Sequence, residues 1–251
     1  MEFKSLSHYS IPSHVLMRMF GYLATMTVQG VNGLIMLSSF RGDAMRDTKV
    51  LLYYNNQTRF ISCWTFVFQI VYAAIALASD VVTFKKDKKH IEHLQRLVTI
   101  RDVFFSSIIV PYSLVVSTEF WAIYLYDRNL ILPSFMNKII SPLSNHIVHT
   151  CVVPTVLFEM ALRPRKTPKS HKWNLSVLAL VTLVYLCVLL YSYYEGGKWP
   201  YPILTYLQGT IYFKIFVIGT LLSLPAWYYM QWCITKIIWR EDCLEKEKNT
   251  L

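Results

Sequence analysis

The sequence predicts an all-α polytopic membrane protein with about six transmembrane helices, and three observations predict it. Hydrophobic residues make up 54% of the 251-residue chain, with a mean hydropathy of +0.36. An ordinary soluble domain holds about 45–50% apolar residues even when glycine is counted. The apolar residues gather into six runs, each near the roughly 20 residues that cross a bilayer core. The lysines and arginines behind the net charge of +10 sit in short clusters between those runs. That is the pattern of positively charged cytosolic flanks rather than of a nucleic-acid surface.

The runs predict one integral membrane domain over residues 1–251, with spans at about 15–37, 60–84, 103–126, 142–162, 175–194 and 211–234. The first begins without the short apolar core and small-residue cleavage site of a signal peptide, so it is read as a retained span. Arg18 lies near its start, where it is expected to snorkel to the interface. The polar loop from Arg41 to Arg59 contains the sequon Asn56-Gln57-Thr58, whose closeness to the next span argues against glycosylation. The second span carries Ser62, Thr65, Gln69 and Asp80, and a strongly basic loop follows, Lys85 to Arg101.

Pro111 is expected to kink the third span, in which Glu119 is the buried-length charge. The apolar loop from Asp127 to Ile140 is expected at the membrane interface. The fifth run is the most purely apolar and reads as scaffold. The sixth has a kink candidate at Pro225, and a charged tail runs from Arg240 to Leu251. Asp80 and Glu159 each fall one turn before a basic residue, and both are read as ion-pair partners near the cytosolic face. The five scattered cysteines show no CxxC or Cys/His spacing and no glycine-rich phosphate loop occurs, so neither a metal nor a nucleotide cofactor is implied.

The fourth run is unlike the others. Ser141 to Leu162 is long and apolar enough to span, yet it holds Asn145, His146, His149 and Glu159. Ionisable groups inside a membrane helix are costly and mark functional sites. Spacings of three and four place Asn145, His146 and His149 on one helical face.

Depth brings other polar groups to the same level. At 1.5 Å per residue, Ser62 lies roughly 3 Å, Thr65 roughly 8 Å and His149 roughly 10 Å below the outer ends of their spans. Glu119, on a helix of opposite direction, lies roughly 10 Å below its outer end. A hydroxyl beside a histidine is the minimum set for nucleophilic attack on a carbonyl, with the imidazole taking the proton.

The chain also resembles a known family, the androgen-induced and androgen-dependent TFPI-regulating proteins, which are multi-pass intramembrane hydrolases of fatty acid esters of hydroxy fatty acids. The resemblance runs from about Arg59 to Tyr201. It rests on Ile100-Arg101-Asp102, on Phe120-Trp121 with Tyr124 and Tyr126-Asp127-Arg128, and on Pro133. It rests most specifically on Asn145-His146-x-x-His149-Thr150 followed by Pro154 and Glu159. Leu162-Arg163-Pro164 and the segment from Gly197 to Pro202 are similar too, the latter with Tyr201 shifted.

The resemblance implies a lipid ester hydrolase that draws its substrate from the bilayer and needs no cofactor. His149 would be the base, and Asn145 or His146 would orient it or bind the oxyanion. The family's nucleophile is a threonine near the start of the second span. Gapless register puts Ser62 there, whereas residue type and depth favour Thr65; the unbroken register places Ser62 first. Glu119 matches no family acid. Two other readings stay open: a transporter or channel using His146, His149 and Glu119, and a non-catalytic membrane regulator binding anionic lipid through Lys85 to Lys89. No internal repeat or paired interrupted helices favour the transporter.

The resemblance and the spans predict a protein of the endoplasmic reticulum or plasma membrane with both termini in the cytosol. In that orientation the cytosolic segments hold one, six, five and four basic residues, sixteen in all, and the outer loops hold four, two and one, seven in all. Tags at the two ends should therefore both be reached by antibody when only the plasma membrane is permeabilised. A protected C-terminus with an accessible N-terminus would rule out six spans.

Overall fold

The computed structural model describes residues 12–85 and 91–239. The expectations resting on residues before 12, on Lys86, Lys88 and Lys89, and on the tail from Arg240 with Cys243 lie outside the described residues. Among the described residues the fold is entirely helical, without strands. Five helices among the described residues are long and apolar enough to cross a membrane: Ser13–Ser39, Ile61–Thr83, Gln95–Tyr126, Lys172–Gly196 and Ile211–Ile238. In chain order we label α1 (Ser13–Ser39), α2 (Thr48–Asn55), α3 (Ile61–Lys85), α4 (Ile91–Phe104), α5 (Val110–Tyr126), α6 (Pro142–His149), α7 (Val152–Leu162), α8 (Lys172–Gly196), α9 (Pro202–Leu207) and α10 (Ile211–Ile238).

The fourth apolar run is present but is not one helix. It is split into α6 and α7 at Thr150 and Cys151. Pro154 has no amide hydrogen to return to Thr150, so the regular ladder cannot be kept across this turn. The amides of Thr150 and Cys151 both bond to the carbonyl of His146, at 2.8 and 2.9 Å. The third span starts earlier than its hydropathy suggests and joins α4 to α5 through a π-turn at Phe105–Ile109. That turn sits directly before Pro111, so the proline's missing donor is met by rewinding the helix rather than by ending it.

Arg101 is not in a solvated basic loop. It is 2% exposed, because α4 carries it into the bundle. Its guanidinium reaches Asp80 Oδ1 at 2.7 Å and Glu159 Oε1 at 3.0 Å. Arg18 does not snorkel either: it donates to both oxygens of Asp80, at 3.1 and 3.3 Å, and to the carbonyl of Leu162. Glu159, expected at the cytosolic face as a partner of Arg163, does lie 3.9 Å from the Arg163 guanidinium, but it is 1% exposed and accepts from the hydroxyls of Tyr22 and Tyr72 as well as from Arg101. Arg18 and Arg101 thus face Asp80 and Glu159 inside the bundle, and Arg163 bridges from Glu159 to Asp102 at its edge. They tie the start of α1, the end of α3, the end of α4 and the end of α7 to one level. The pair of Glu159 with Arg163 is present, but Arg18 and Arg101, which share the depth of the two carboxylates, make the closer contacts.

The other end of the bundle is closed by the two loops that connect spans. Leu132, Met136, Ile139 and Ile140 from the 127–140 segment pack with Phe40, Val50 and Phe120 in one buried cluster. Lys138 bonds Asp47 at 2.7 Å, and Asp47 also caps α2 through the amide of Lys49. That pairing with Lys138 holds the Asp47 carboxyl below the usual carboxylate range. Between the two ends, Tyr22, Tyr72, Phe105, Val110, Val156 and Met160 form the central core. α8 and α10 show most of their length to the lipid, as a scaffold helix would.

Glu159→Ala should expose what the ion cluster does, since it leaves Arg101 buried beside a single carboxylate. Removing one member of a buried pair costs about 3–5 kcal/mol. Equilibrium unfolding in mixed detergent micelles should show a loss of that order, and an unchanged midpoint would mean the cluster does not hold the helices in register.

Candidate active site at the break in the fourth run

His149 is the last residue of α6, held just before the chain breaks. It is 7% exposed. Its Nδ1 faces the side-chain carbonyl of Asn145 at 2.9 Å and the backbone carbonyl of the same residue at 3.1 Å. Both partners accept, so Nδ1 carries the hydrogen and Nε2 is left with its lone pair. The imidazole lies flat on the Phe120 ring, with centroids 3.6 Å apart and planes 9° from parallel. Asn145 therefore sets the tautomer, and Phe120 sets the plane of the ring.

His146 does not share that buried face. It is exposed, stacks on Trp121 with centroids 5.1 Å apart, and its Nδ1 meets Thr150 Oγ1 at 3.0 Å. Trp121 Nε1 donates to the same hydroxyl at 3.1 Å. A spacing of three leaves two side chains about 60° apart around a helix, which is enough to put one inside and the other on the rim.

Ser62 is the second residue of α3 and lines two cavities, both of which are also lined by His149. The first, about 140 Å³, lies among α3, α5, α8, α9 and α10, with Glu119, Phe120, Leu186, Leu189 and Val217 on its wall. The second, about 200 Å³, lies among α1, α3 and α6 and reaches Leu37 and Val67, which are about half exposed to the lipid side. Thr65 lines neither. It is 1% exposed and returns its hydroxyl to the carbonyl of Ile61 at 3.1 Å. Glu119 shares the first cavity with Ser62 and His149, while the Nδ1 position it would need as an orienter is taken by Asn145.

The start of α3 is itself held in place. The amide of Ile61 donates to the hydroxyl of Tyr201 at 2.7 Å, Tyr201 and Tyr185 hydroxyls lie 3.0 Å apart, and Tyr185 donates to the carbonyl of Arg59 at 3.3 Å. These contacts close around the turn that carries Ser62. No spacing rule reveals them, because Tyr185 and Tyr201 are more than 120 residues from Arg59 and Ile61. Among the described residues no group of three or more His, Cys, Asp or Glu side chains is placed to hold a metal ion.

The model of the FAR-17a/AIG1-like protein family matches residues 24–233 of the chain. The chain belongs to the FAR-17a/AIG1-like family. Human androgen-dependent TFPI-regulating protein is 32% identical over 150 residues, 60% of this chain and 64% of that protein. The rat protein of the same name is 30% identical over 155 residues, 61% and 64% of the two chains. Human androgen-induced gene 1 protein is 26% identical over 201 residues, 78% of this chain and 84% of that protein. The match thus spans just under two thirds of the androgen-dependent relatives' length. No solved structure matches the chain. The family match takes in Ser62, Thr65, Glu119, Asn145, His146 and His149, and both halves of the broken run lie inside it.

Proposed function

We propose that this FAR-17a/AIG1-like membrane protein hydrolyses lipid esters, with esters of hydroxy fatty acids as the substrate class. The observation that carries the reading is that Ser62 and His149 both line the same two apolar cavities. An ester with a chain on each side of its carbonyl needs such an arrangement: one cavity for the acyl arm, the other for the alcohol arm, and the reacting carbon between them. The opening beside Leu37 and Val67 supplies a lateral way in from the bilayer.

In this reading Ser62 Oγ attacks the ester carbonyl while His149 Nε2 takes its proton. The tetrahedral intermediate collapses, His149 returns that proton to the departing alkoxide, and the alcohol leaves. Water then attacks the acyl-serine with His149 as base, releasing the acid and restoring the Ser62 hydroxyl. Asn145 keeps Nδ1 occupied throughout and stabilises the imidazolium. The first amides of a helix lack intrahelical partners and carry partial positive charge. Ser62 sits in that first turn of α3, so its own amide is the oxyanion donor in this scheme.

Geometry supports Ser62 over Thr65, whose hydroxyl is spent on its own helix. His146, on the rim against Trp121, serves as support rather than as base. The protein would act on lipids within the membrane and would need no nucleic-acid partner, metal or nucleotide. The endoplasmic reticulum or plasma membrane is the expected location.

Fluorophosphonate labelling and turnover of a hydroxy-fatty-acid ester test the reading together. Ser62→Ala and His149→Ala should each lower turnover by about 10³-fold or more while the protein still inserts and accumulates. Thr65→Ala should keep most of it, and Ser62→Thr should stay active. Asn145→Ala should cost at most about 10²-fold, because the backbone carbonyl of the same residue still holds Nδ1. Activity of His149→Ala within a few-fold of wild type would end the proposal.

A further inference from the structure

A third cavity, of about 420 Å³, lies in the crevice between α1, α3 and α7 and reaches from Glu159 up to Gln69 and Cys151; neither Ser62 nor His149 lines it. It runs along α1 from Phe20 to Gln29, roughly 14 Å at 1.5 Å per residue. Its mouth is on the lipid side, where Phe20 is 74% and Val28 47% exposed. The wall is apolar apart from a few polar groups, and nearly all of these are engaged. Thr25 returns its hydroxyl to Gly21, Thr155 returns its own to Val152, and Tyr22 and Tyr72 donate to Glu159.

Gln29 is the exception. It is 2% exposed, and its Nε2 donates to Gln69 Oε1 at 3.2 Å. Its Oε1 has no partner among the described residues. The orientation of this amide is set from outside it. Gln69 Nε2 donates to Ser113 Oγ and to the carbonyl of Val152, which can only accept, so Gln69 must turn its oxygen towards Gln29. Gln29 must then answer with its NH₂ group and keep a spare acceptor. A buried acceptor without a donor is costly, and more so where no water reaches it.

We infer that this cavity is a second lipid site, and that it takes a fatty acid chain carrying a hydroxyl near its middle. The spare acceptor calls for a donor, and the apolar wall calls for a hydrocarbon on either side of that donor. Depth selects among hydroxylated lipids. Gln29 lies within roughly 5 Å of the midpoint of α1, hence near the centre of a bilayer core about 30 Å thick. Sterols and diacylglycerols hold their hydroxyl at headgroup level, roughly 15 Å away. A mid-chain hydroxyl reaches the centre while its carboxylate stays at the surface. The inference does not rest on ester hydrolysis: neither Ser62 nor His149 lines this cavity, which would bind such a chain whether or not the protein releases one.

The full-length protein in lipid nanodiscs is labelled with a diazirine-bearing fatty acid, and 12-hydroxystearic acid, stearic acid, 12-methoxystearic acid and cholesterol compete for adducts on the α1 and α7 peptides. The hydroxylated acid should compete at about tenfold lower concentration than stearic acid, the ratio one hydrogen bond of about 1.4 kcal/mol gives. The methyl ether, which accepts but cannot donate, should lose that advantage. Gln29→Leu should abolish the preference and retain labelling, while Ala24→Phe, which fills the cavity, should reduce labelling itself. His149→Ala should leave all of this unchanged, which separates the site from the hydrolase reading. Equal competition by stearic and hydroxystearic acids, or better competition by cholesterol, would overturn the inference. So would adducts confined to peptides around His149.

Discussion

A bilayer core solvates no charge, so every ionic or polar side chain carried into it must find its partner in the protein. The four-charge cluster of Arg18, Asp80, Arg101 and Glu159 is where this constraint acts most strongly. Its members come from four separate stretches of chain, and each makes at least one ion pair that sliding along the membrane normal would break. The cluster therefore fixes how far α1, α3, α4 and α7 slide past one another. That register carries through rigid helices to the opposite end, where Ser62 on α3 and His149 at the end of α6 must share a level for any chemistry between them.

The second determinant is the interruption of the fourth apolar run. An unbroken helix from Pro142 to Leu162 would be easier to bury, since all its backbone groups would be satisfied internally. Pro154 prevents that, and two amides converge on the carbonyl of His146 instead. The break makes His149 a helix-terminal residue with Asn145 one turn behind it and Phe120 beneath it. The loops over this end, pinned by Lys138 and Asp47 and packed on Phe120, close the pocket above the imidazole.

Much of the fold was legible because hydropathy and charge report directly on membrane crossing, and the six runs all appear as helical structure. The pairing of Asn145 with His149 was legible too, since a spacing of four is a contact on any helix. Arg101 was not. It closes a basic stretch, and composition counts it with its neighbours although α4 turns it inward. Ser62 and Thr65 illustrate another limit: depth follows from counting residues, but rotation about the helix axis does not. Three residues move a side chain by about 60° as well as by about 4.5 Å, and only the packing of α3 decides which hydroxyl meets a cavity. Phe120, Tyr185 and Tyr201 carry no chemical signature in sequence, because flat stacking and long-range capping are properties of the assembled bundle.

The central claim is that the hydroxyl at the start of α3, and no other, is within reach of the Nε2 of His149. The most direct measurement is the position of the covalent adduct after a fluorophosphonate reacts with the membrane-embedded protein, read by mass spectrometry of the α3 peptide. The account predicts the adduct on Ser62 and its disappearance in His149→Ala. An adduct on Thr65, or ester hydrolysis with no adduct on α3 at all, would contradict it.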